Sequence, residues 1–338
     1  MKAVGFYEYL PIEHPESLLD VEVEAPEPSG RDLLVAVKAV SVNPVDTKRR
    51  AAGTRPATEL KILGWDAAGV VVAAGPQAQL FKPGEKVYYA GSNQRPGANS
   101  ELHLVDERIV GPKPINLSFA EAAALPLTTI TAWEAMFERM GISKSGADTG
   151  KRLLILGGAG GVGSIAIQLA KKLARLKVIA SASRPDSIAW VRALGADAVV
   201  DHTKPLPEQM AALGLPEADY IFCCNNTEQV FPVLCRLIAP QGRICSIVRM
   251  ARPVELSLLQ EKSVSFSWEG MFTRSTFQTP DMEAQHGLLE DAAGLLESGV
   301  LVTTLRQSLG KICAASLKQA HQRIEQGHMV GKLVLEGF

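Results

Sequence analysis

The stretch Lys151-Arg-Leu-Leu-Ile-Leu-Gly157-Gly158-Ala-Gly160-Gly161-Val162-Gly163 constrains this chain more than any other. It reads as a strand, a glycine turn and a helix start in immediate succession. Residues 153–156 form the short apolar run that a buried parallel strand needs. Gly158-x-Gly160-x-x-Gly163 then fits the dinucleotide fingerprint. Its first glycine permits the tight turn, its second lets backbone approach a pyrophosphate, and its third allows close helix–strand packing. Ile165, Ile167, Leu169, Leu173 and Leu176 follow at helical spacing, so the helix that starts here turns free N–H groups toward phosphates. Gly158, Gly160, Gly161, Val162 and Gly163 are therefore candidate cofactor contacts.

The identity of the dinucleotide turns on the second strand. A unit that binds NAD places Asp or Glu about twenty residues after the glycines, against the ribose hydroxyls. Here the strand runs Lys177-Val-Ile-Ala-Ser181-Ala-Ser183-Arg184, and the first carboxylate, Asp186, lies beyond Pro185. Ser181 and Ser183 supply hydroxyls and Arg184 a planar fork suited to a phosphate. This pattern points to NADPH; Arg184 as a solvated loop residue is the competing reading.

A chain of 338 residues exceeds the size at which single cores stop growing, so two domains are expected. Thirty-five basic against 36 acidic residues, net −1, leave no footprint for nucleic acid. No apolar run is long enough to span a bilayer and the N-terminus lacks a signal-peptide core, so a cytoplasmic protein is expected. The five cysteines stand in apolar contexts and read as reduced core residues.

The first 110 residues hold β-type segments (32–43, 67–75, 85–91, 100–106) broken by Pro and Gly, which suggests a partly open antiparallel barrel. Ser118 with Glu121 three residues on is a capping box opening a helix, and 128–140 reads as a second helix. Strands at 153–156, 178–182, 198–200, 220–223 and 243–248 then alternate with helices, the pattern of a doubly wound parallel sheet. Helices at 285–298 and 314–326 lead to a last strand at 331–337, too far past the sheet to be its simple continuation.

This organisation, with the motifs Ser41-Val-Asn43-Pro44-Val-Asp46, Gly64-Trp65-Asp66-Ala-Ala-Gly69, Phe81-Lys-Pro-Gly84-Glu-Lys-Val87 and Ala122-Ala-Ala-Leu125-Pro126-Leu127-Thr128, resembles the medium-chain dehydrogenase/reductase superfamily. The closest likeness is to its zinc-lacking quinone-oxidoreductase-like branch. The resemblance implies an α/β fold of two parts, a GroES-like, partly open β-barrel domain and a Rossmann domain with a doubly wound parallel sheet. Its divisions would be 1–124, then 125–271 for the NADP-binding domain, with 272–338 returning to complete the first. It also implies a homodimer.

Zinc alcohol dehydrogenases of this superfamily place a Cys ligand where this chain has Asn43. They place a His-Glu pair where it has Trp65-Asp66. Zinc wants about three N, S or O side chains plus an open position, and a third ligand has no clear equivalent here. The cysteine-rich structural lobe is also missing, and the six histidines show no HxxH spacing. No metal is expected. His103 reads as surface or packed, and His321 and His328 as exposed.

Without zinc the expected chemistry is reduction of a quinone or an α,β-unsaturated carbonyl compound, whose anionic product needs only hydrogen-bond donors and a proton. In the resembling reductases Asn43 of the NPVD loop and Asp46 one turn on would line the substrate cleft. Thr128 or Thr129 would contact the nicotinamide side, Asn225 and Cys245–Val248, Ile247 among them, the ring and ribose, and Met271 and Phe272 the return crossing. Trp65 would wall the same pocket. Each has a plainer reading: a turn at Asn43-Pro44, core packing for Trp65, a helix cap at Thr128, filler at Met271 and Phe272. Lys332 could approach the cofactor phosphates or be an exposed lysine on a terminal strand. Asp46, Tyr88, Tyr89 and water are the candidate proton donors. A zinc alcohol dehydrogenase and a non-catalytic NADPH-binding sensor are the alternatives. The loops 51–63 and 273–282, which would shape the substrate pocket, carry no readable conformation.

Overall fold

The computed structural model describes residues 1–53 and 59–338. Two compact units emerge, one from Met1–Leu127 with Phe272–Phe338, the other from Thr128–Met271.

The first unit is organised around the eleven-residue strand Asp32–Val42. Its first half alternates half-buried and buried residues, as a strand with one face on a core does. One edge of it pairs with Ala67–Ala74, with register shifts at Leu34/Val35 and Val37/Ala39 that let the strand bend. The other edge is shared. Leu102–Asp106 takes Asp32 to Ala36, and the C-terminal strand Lys332–Glu336 takes Ala39 to Val42. The last strand therefore returns to the first unit, and this antiparallel pairing sets Leu333 opposite Val42. Lys86–Tyr89, Val110–Pro112 and Leu305–Ser308 extend the sheet, while Lys2–Phe6 pairs with Leu19–Glu22 and Lys61–Ile62 in a smaller one. The two strands in the first 25 residues carry too few alternating positions to have stood out in the sequence.

Where Asp32–Val42 ends, the chain turns at once into the helix Pro44–Ala51. Pro44 has the backbone angle a first helical residue needs, and Asn43 caps it in an extended conformation. Asp46 in the first turn and Lys48, Arg49 and Arg50 in the last match the helix dipole. The capping box at Ser118 forms, with Glu121 N–H on the Ser118 hydroxyl at 3.2 Å and Ser118 N–H on the Glu121 carboxylate at 2.8 Å.

The second unit is a six-stranded, wholly parallel sheet. Its order is Ala198–Val200, Lys177–Ser181, Arg152–Leu156, Ala218–Cys223, Ile238–Ser246, Ser265–Trp268. Chain order runs outward from Arg152–Leu156 in both directions, which is the doubly wound arrangement. Leu153, Leu154 and Ile155 are wholly buried, each worth about 1.5–3 kcal/mol in transfer from water. The sixth strand was not foreseen, because Ser265-Phe-Ser-Trp268 is half polar and lies at an edge. The expected helix over 128–140 is in fact an α-helix, Pro126–Trp133, followed by a π-helical turn, Glu134–Arg139. No helix among the described residues is long and apolar enough to cross a membrane.

Candidate functional site

In the second unit, the glycine turn connects Arg152–Leu156 to the helix Gly161–Lys172. A Cβ on Gly163 would lie 2.4 Å from the Gly157 carbonyl oxygen and 2.7 Å from Gly158 Cα, so helix and turn touch backbone to backbone. A Cβ on Gly158 would meet Ala180 Cβ at 2.9 Å. Gly160, Gly161 and Val162 at the helix start remain half-exposed. The Ser181 hydroxyl accepts the Gly157 N–H at 2.9 Å, and Gly158 N–H donates to the Ser181 carbonyl at 3.2 Å. Ser181 is buried, so its hydroxyl braces the turn and does not lie open to a ligand as Ser183 does.

Around the turn, the ends of neighbouring strands bring further residues together. Gly157 and the Asn225 side chain are adjacent, a Cβ on Gly157 falling 3.3 Å from Asn225 Cγ. This is where the sheet order reverses, the switch point at which open α/β sheets bind ligands. Ile247, half-buried, donates its N–H to the Cys223 carbonyl at 3.2 Å. Ser183 and Arg184 follow Lys177–Ser181, both half-exposed, with Arg184 Nε 3.4 Å from Asp186. His202 Nε2 lies 3.5 Å from the Ser183 hydroxyl, a neighbour the sequence did not reveal. Thr128, Thr129 and Met271 are buried in this unit. The donor set fits a pyridine dinucleotide: an N-terminal helix end behind a cradle that any side chain would fill, and no carboxylate at the end of the second strand.

The first unit holds a buried polar cluster assembled from the Asn43 loop. Asn43 Nδ2 donates to Asp66 Oδ2 at 2.8 Å, and Asn43 Oδ1 accepts from Lys332 Nζ. Lys332 Nζ also donates to the Val42 carbonyl at 3.1 Å and pairs with Asp66 Oδ2 at 3.1 Å. Asp66 Oδ1 accepts the Leu127 N–H at 2.7 Å. Asp46 accepts the Asn43 N–H at 2.7 Å on one oxygen and the Gly64 N–H at 3.1 Å on the other. Gly64 has φ +111°, and a Cβ there would sit 2.6 Å from Asn99 Oδ1, so glycine is required where the backbone meets Asp46.

Asn43, Asp46 and Asp66 are all nearly inaccessible, and burial dominates the carboxyls. It pushes Asp46 up to about 7, with the Asp66 charge adding and the backbone bonds and Lys332 opposing. Asp66 is raised for the same reason despite its lysine partner. Trp65 is buried, donates Nε1–H to the Ser92 carbonyl at 3.1 Å, and meets Phe272 edge to face at 6.0 Å between centroids.

Several sequence expectations are corrected. An ammonium has three N–H donors, and those of Lys332 meet three protein acceptors; the side chain is buried in the Asn43 cluster, neither exposed nor free for a phosphate. Tyr88 donates its hydroxyl to the Leu289 carbonyl at 2.6 Å. Tyr89 faces His103 Nδ1 at 3.1 Å while His103 Nε2 takes the Pro96 carbonyl at 3.0 Å. Burial raises both phenols well above their ordinary range, so neither suits a proton donor. His103 is a packed residue, lowered to about 4 by burial. His321, expected at the surface, is buried against Arg50 Nε at 3.4 Å and lowered to about 3 by burial and that guanidinium. Of the loop 51–63, residues 54–58 lie outside the described residues. The segment 273–282 opens with the short helix Thr273–Phe277.

Zinc does not fit the first unit's cluster. Its donors are an amide and two carboxylates already held by N–H groups and an ammonium. No group of three or more His, Cys, Asp or Glu among the described residues could hold a metal ion.

Residues 29–132 match the family model of the alcohol dehydrogenase GroES-like domain, and residues 194–335 that of the zinc-binding dehydrogenase. The chain is 41% identical over 337 residues, 99% of each protein, to a zinc-type alcohol dehydrogenase-like protein of Staphylococcus epidermidis. It is 34% identical over 235 residues, 67% of this chain and 59% of the other, to the NADPH-dependent alkenal/one oxidoreductase of Arabidopsis thaliana. Among solved structures, a putative zinc-dependent alcohol dehydrogenase protein of Rhizobium etli superposes with a TM-score of 0.95 at 52% identity, covering 100% of this chain and 98% of that one.

Proposed function

The chain belongs to the medium-chain dehydrogenase/reductase superfamily of oxidoreductases, and from that premise we propose that it is an NADPH-dependent, zinc-independent reductase of α,β-unsaturated carbonyl compounds or quinones. The observation that supports this reading is the Asn43–Asp66–Lys332 network: an amide and a carboxylate stand at the sequence positions that the resemblance matches to zinc ligands, and both are engaged by the Lys332 ammonium. With no Lewis acid to stabilise an alkoxide, alcohol oxidation loses its main device. Reduction of a polarised double bond keeps its own, a hydrogen-bond donor at the developing oxyanion.

Ser183 and Arg184, with no carboxylate before Asp186, support NADPH, as does the alkenal/one oxidoreductase relative, whose name carries that cofactor. Held at the glycine turn, reduced nicotinamide supplies a hydride for the electron-poor carbon. Asn43 gives its second amide hydrogen to the substrate oxygen. Water supplies the proton, since both Asp46 oxygens are engaged by backbone N–H groups. Dimerisation through the edge strand Ser265–Trp268 is part of the same reading, supported by the half-exposed Trp268 on it.

The test is NADPH consumption by metal-stripped protein with an enone and with a quinone, NADH being run in parallel. Turnover that survives stripping and prefers NADPH is expected. Activity restored only by added zinc would overturn the zinc-free reading. Saturable NADPH binding with no turnover of either compound would favour the sensor reading or a substrate outside this pair.

A further inference from the structure

Lys332 is the one member of the Asn43 cluster that comes from the far end of the chain, 289 residues away from Asn43. Its ammonium can only donate, and an ionised carboxylate can only accept. Asn43 lies between the two, its Oδ1 on Lys332 and its Nδ2 on Asp66 Oδ2. Turning the amide over would set NH2 against NH3⁺ and oxygen against carboxylate, so the amide is locked in one orientation. One hydrogen of Nδ2 is used on Asp66, and among the described residues the other is given no acceptor, so it is the part of this buried group left for a ligand oxygen. The Asn43 main chain is held as well, its N–H by Asp46 and the carbonyl of Val42 before it by Lys332.

We infer that Lys332 is a positioning residue, which fixes and polarises the Asn43 carboxamide so that its remaining N–H is presented to the carbonyl oxygen of the substrate. Lys332 does this without touching substrate or cofactor. A donated hydrogen bond to Oδ1 draws charge from the amide and makes its N–H groups better donors. The inference rests on the reductase reading for what Asn43 contacts, but not for how Asn43 is held.

Lys332→Met alone leaves Asp66 buried without its counter-charge and is prone to unfold. The informative variant is therefore Lys332→Met with Asp66→Asn, which removes both charges together. Its melting temperature should stay near that of the parent. Its kcat with an enone should fall at least tenfold while the KM for NADPH changes less than twofold. In the Asn43→Ala background the same two substitutions should cost nothing further, because Asn43→Ala alone already removes what Lys332 positions. A folded double variant with parental kcat would overturn the inference, and so would losses that multiply when Asn43→Ala is added.

A second readout needs no turnover. The side-chain amide protons of Asn43, assigned by their disappearance in Asn43→Ala, should exchange slowly in the parent and at least tenfold faster in the double variant. Equal exchange in the two would overturn the positioning role. A parent without turnover would remove the reductase reading and leave this measurement to decide the role of Lys332.

Discussion

The glycine turn of the second unit and the Asn43 cluster of the first are both tight backbone constructions, yet they are specified in opposite ways. The turn is written in seven consecutive residues and braced by a serine 24 residues on. Its chemistry is backbone N–H, and its requirement is the absence of side chains. The cluster is built from Val42, Asn43, Asp46, Gly64, Asp66, Leu127 and Lys332, and its chemistry is buried charge. A local motif fails when something is added to it. A long-range network fails when one partner is taken away.

The largest effect should come from breaking the network. Asp66→Ala removes the acceptor of Lys332, Asn43 and the Leu127 N–H together and leaves an ammonium buried without a carboxylate. The expected loss is about 3–5 kcal/mol of stability, measured by denaturant unfolding. A loss below about 1 kcal/mol, the level of a surface pair, would mean that the cluster is solvated and the comparison false. Next comes addition to the turn. Gly163→Ala puts a methyl 2.4 Å from the Gly157 oxygen, a backbone atom that cannot swing away. NADPH affinity should weaken by about 100-fold, or about 2.7 kcal/mol, in a fluorescence titration, while the first unit's melting is unchanged. Unaltered affinity would show that the turn opens without cost.

The same contrast decides what was legible in advance. The parallel sheet, the glycine turn and the capped helix at Ser118 could be read because each is a pattern within one window of sequence. Asn43, Asp46 and Trp65 can be picked out only through their place in a resembling motif, and the partners of Lys332 cannot be read from sequence at all. Its partners depend on the strand Lys332–Glu336 pairing with Asp32–Val42 in a particular register, which nothing local determines. The π-helical turn at Glu134–Arg139 was missed because its composition is that of an ordinary helix. His321 was misplaced because its neighbours, Gln319, Gln322 and Arg323, look solvent-facing, whereas the buried Arg50 guanidinium comes from another helix.

A third, intermediate effect sharpens the electrostatic half. Burial raises Asp46 from 3.8 to about 7, so the folded chain holds its proton more tightly than the unfolded chain does. The neutral carboxyl favours folding, and that advantage is present below pH 3.8 and lost as pH climbs to about 7. One proton bounds the slope at about 1.4 kcal/mol per pH unit. Asp46→Asn, which cannot ionise, should lose this slope while paying a pH-independent cost for one backbone N–H left facing an amide. Stability of both proteins measured from mildly acidic to neutral pH checks it. Parallel curves would mean that Asp46 is ionised throughout, with Lys332 neutralising more than Asp66.

The smallest effect returns to the local half, at Arg184. Its side chain is 35% exposed and its partner Asp186 58%, so water screens the pair and its own contribution to stability is negligible. On the NADPH reading a ribose phosphate would offer the same guanidinium, and the Ser183 hydroxyl, more negative charge than Asp186 does. Arg184→Ala should therefore leave melting unchanged, weaken NADPH about tenfold, or about 1.4 kcal/mol, and leave NADH untouched. A measurement of both affinities on one preparation separates the cases. Equal weakening of NADPH and NADH would place Arg184 on a part common to both nucleotides. No weakening of either would make it the solvated loop residue that its exposure also allows, and would shift the discrimination to Ser183 and His202.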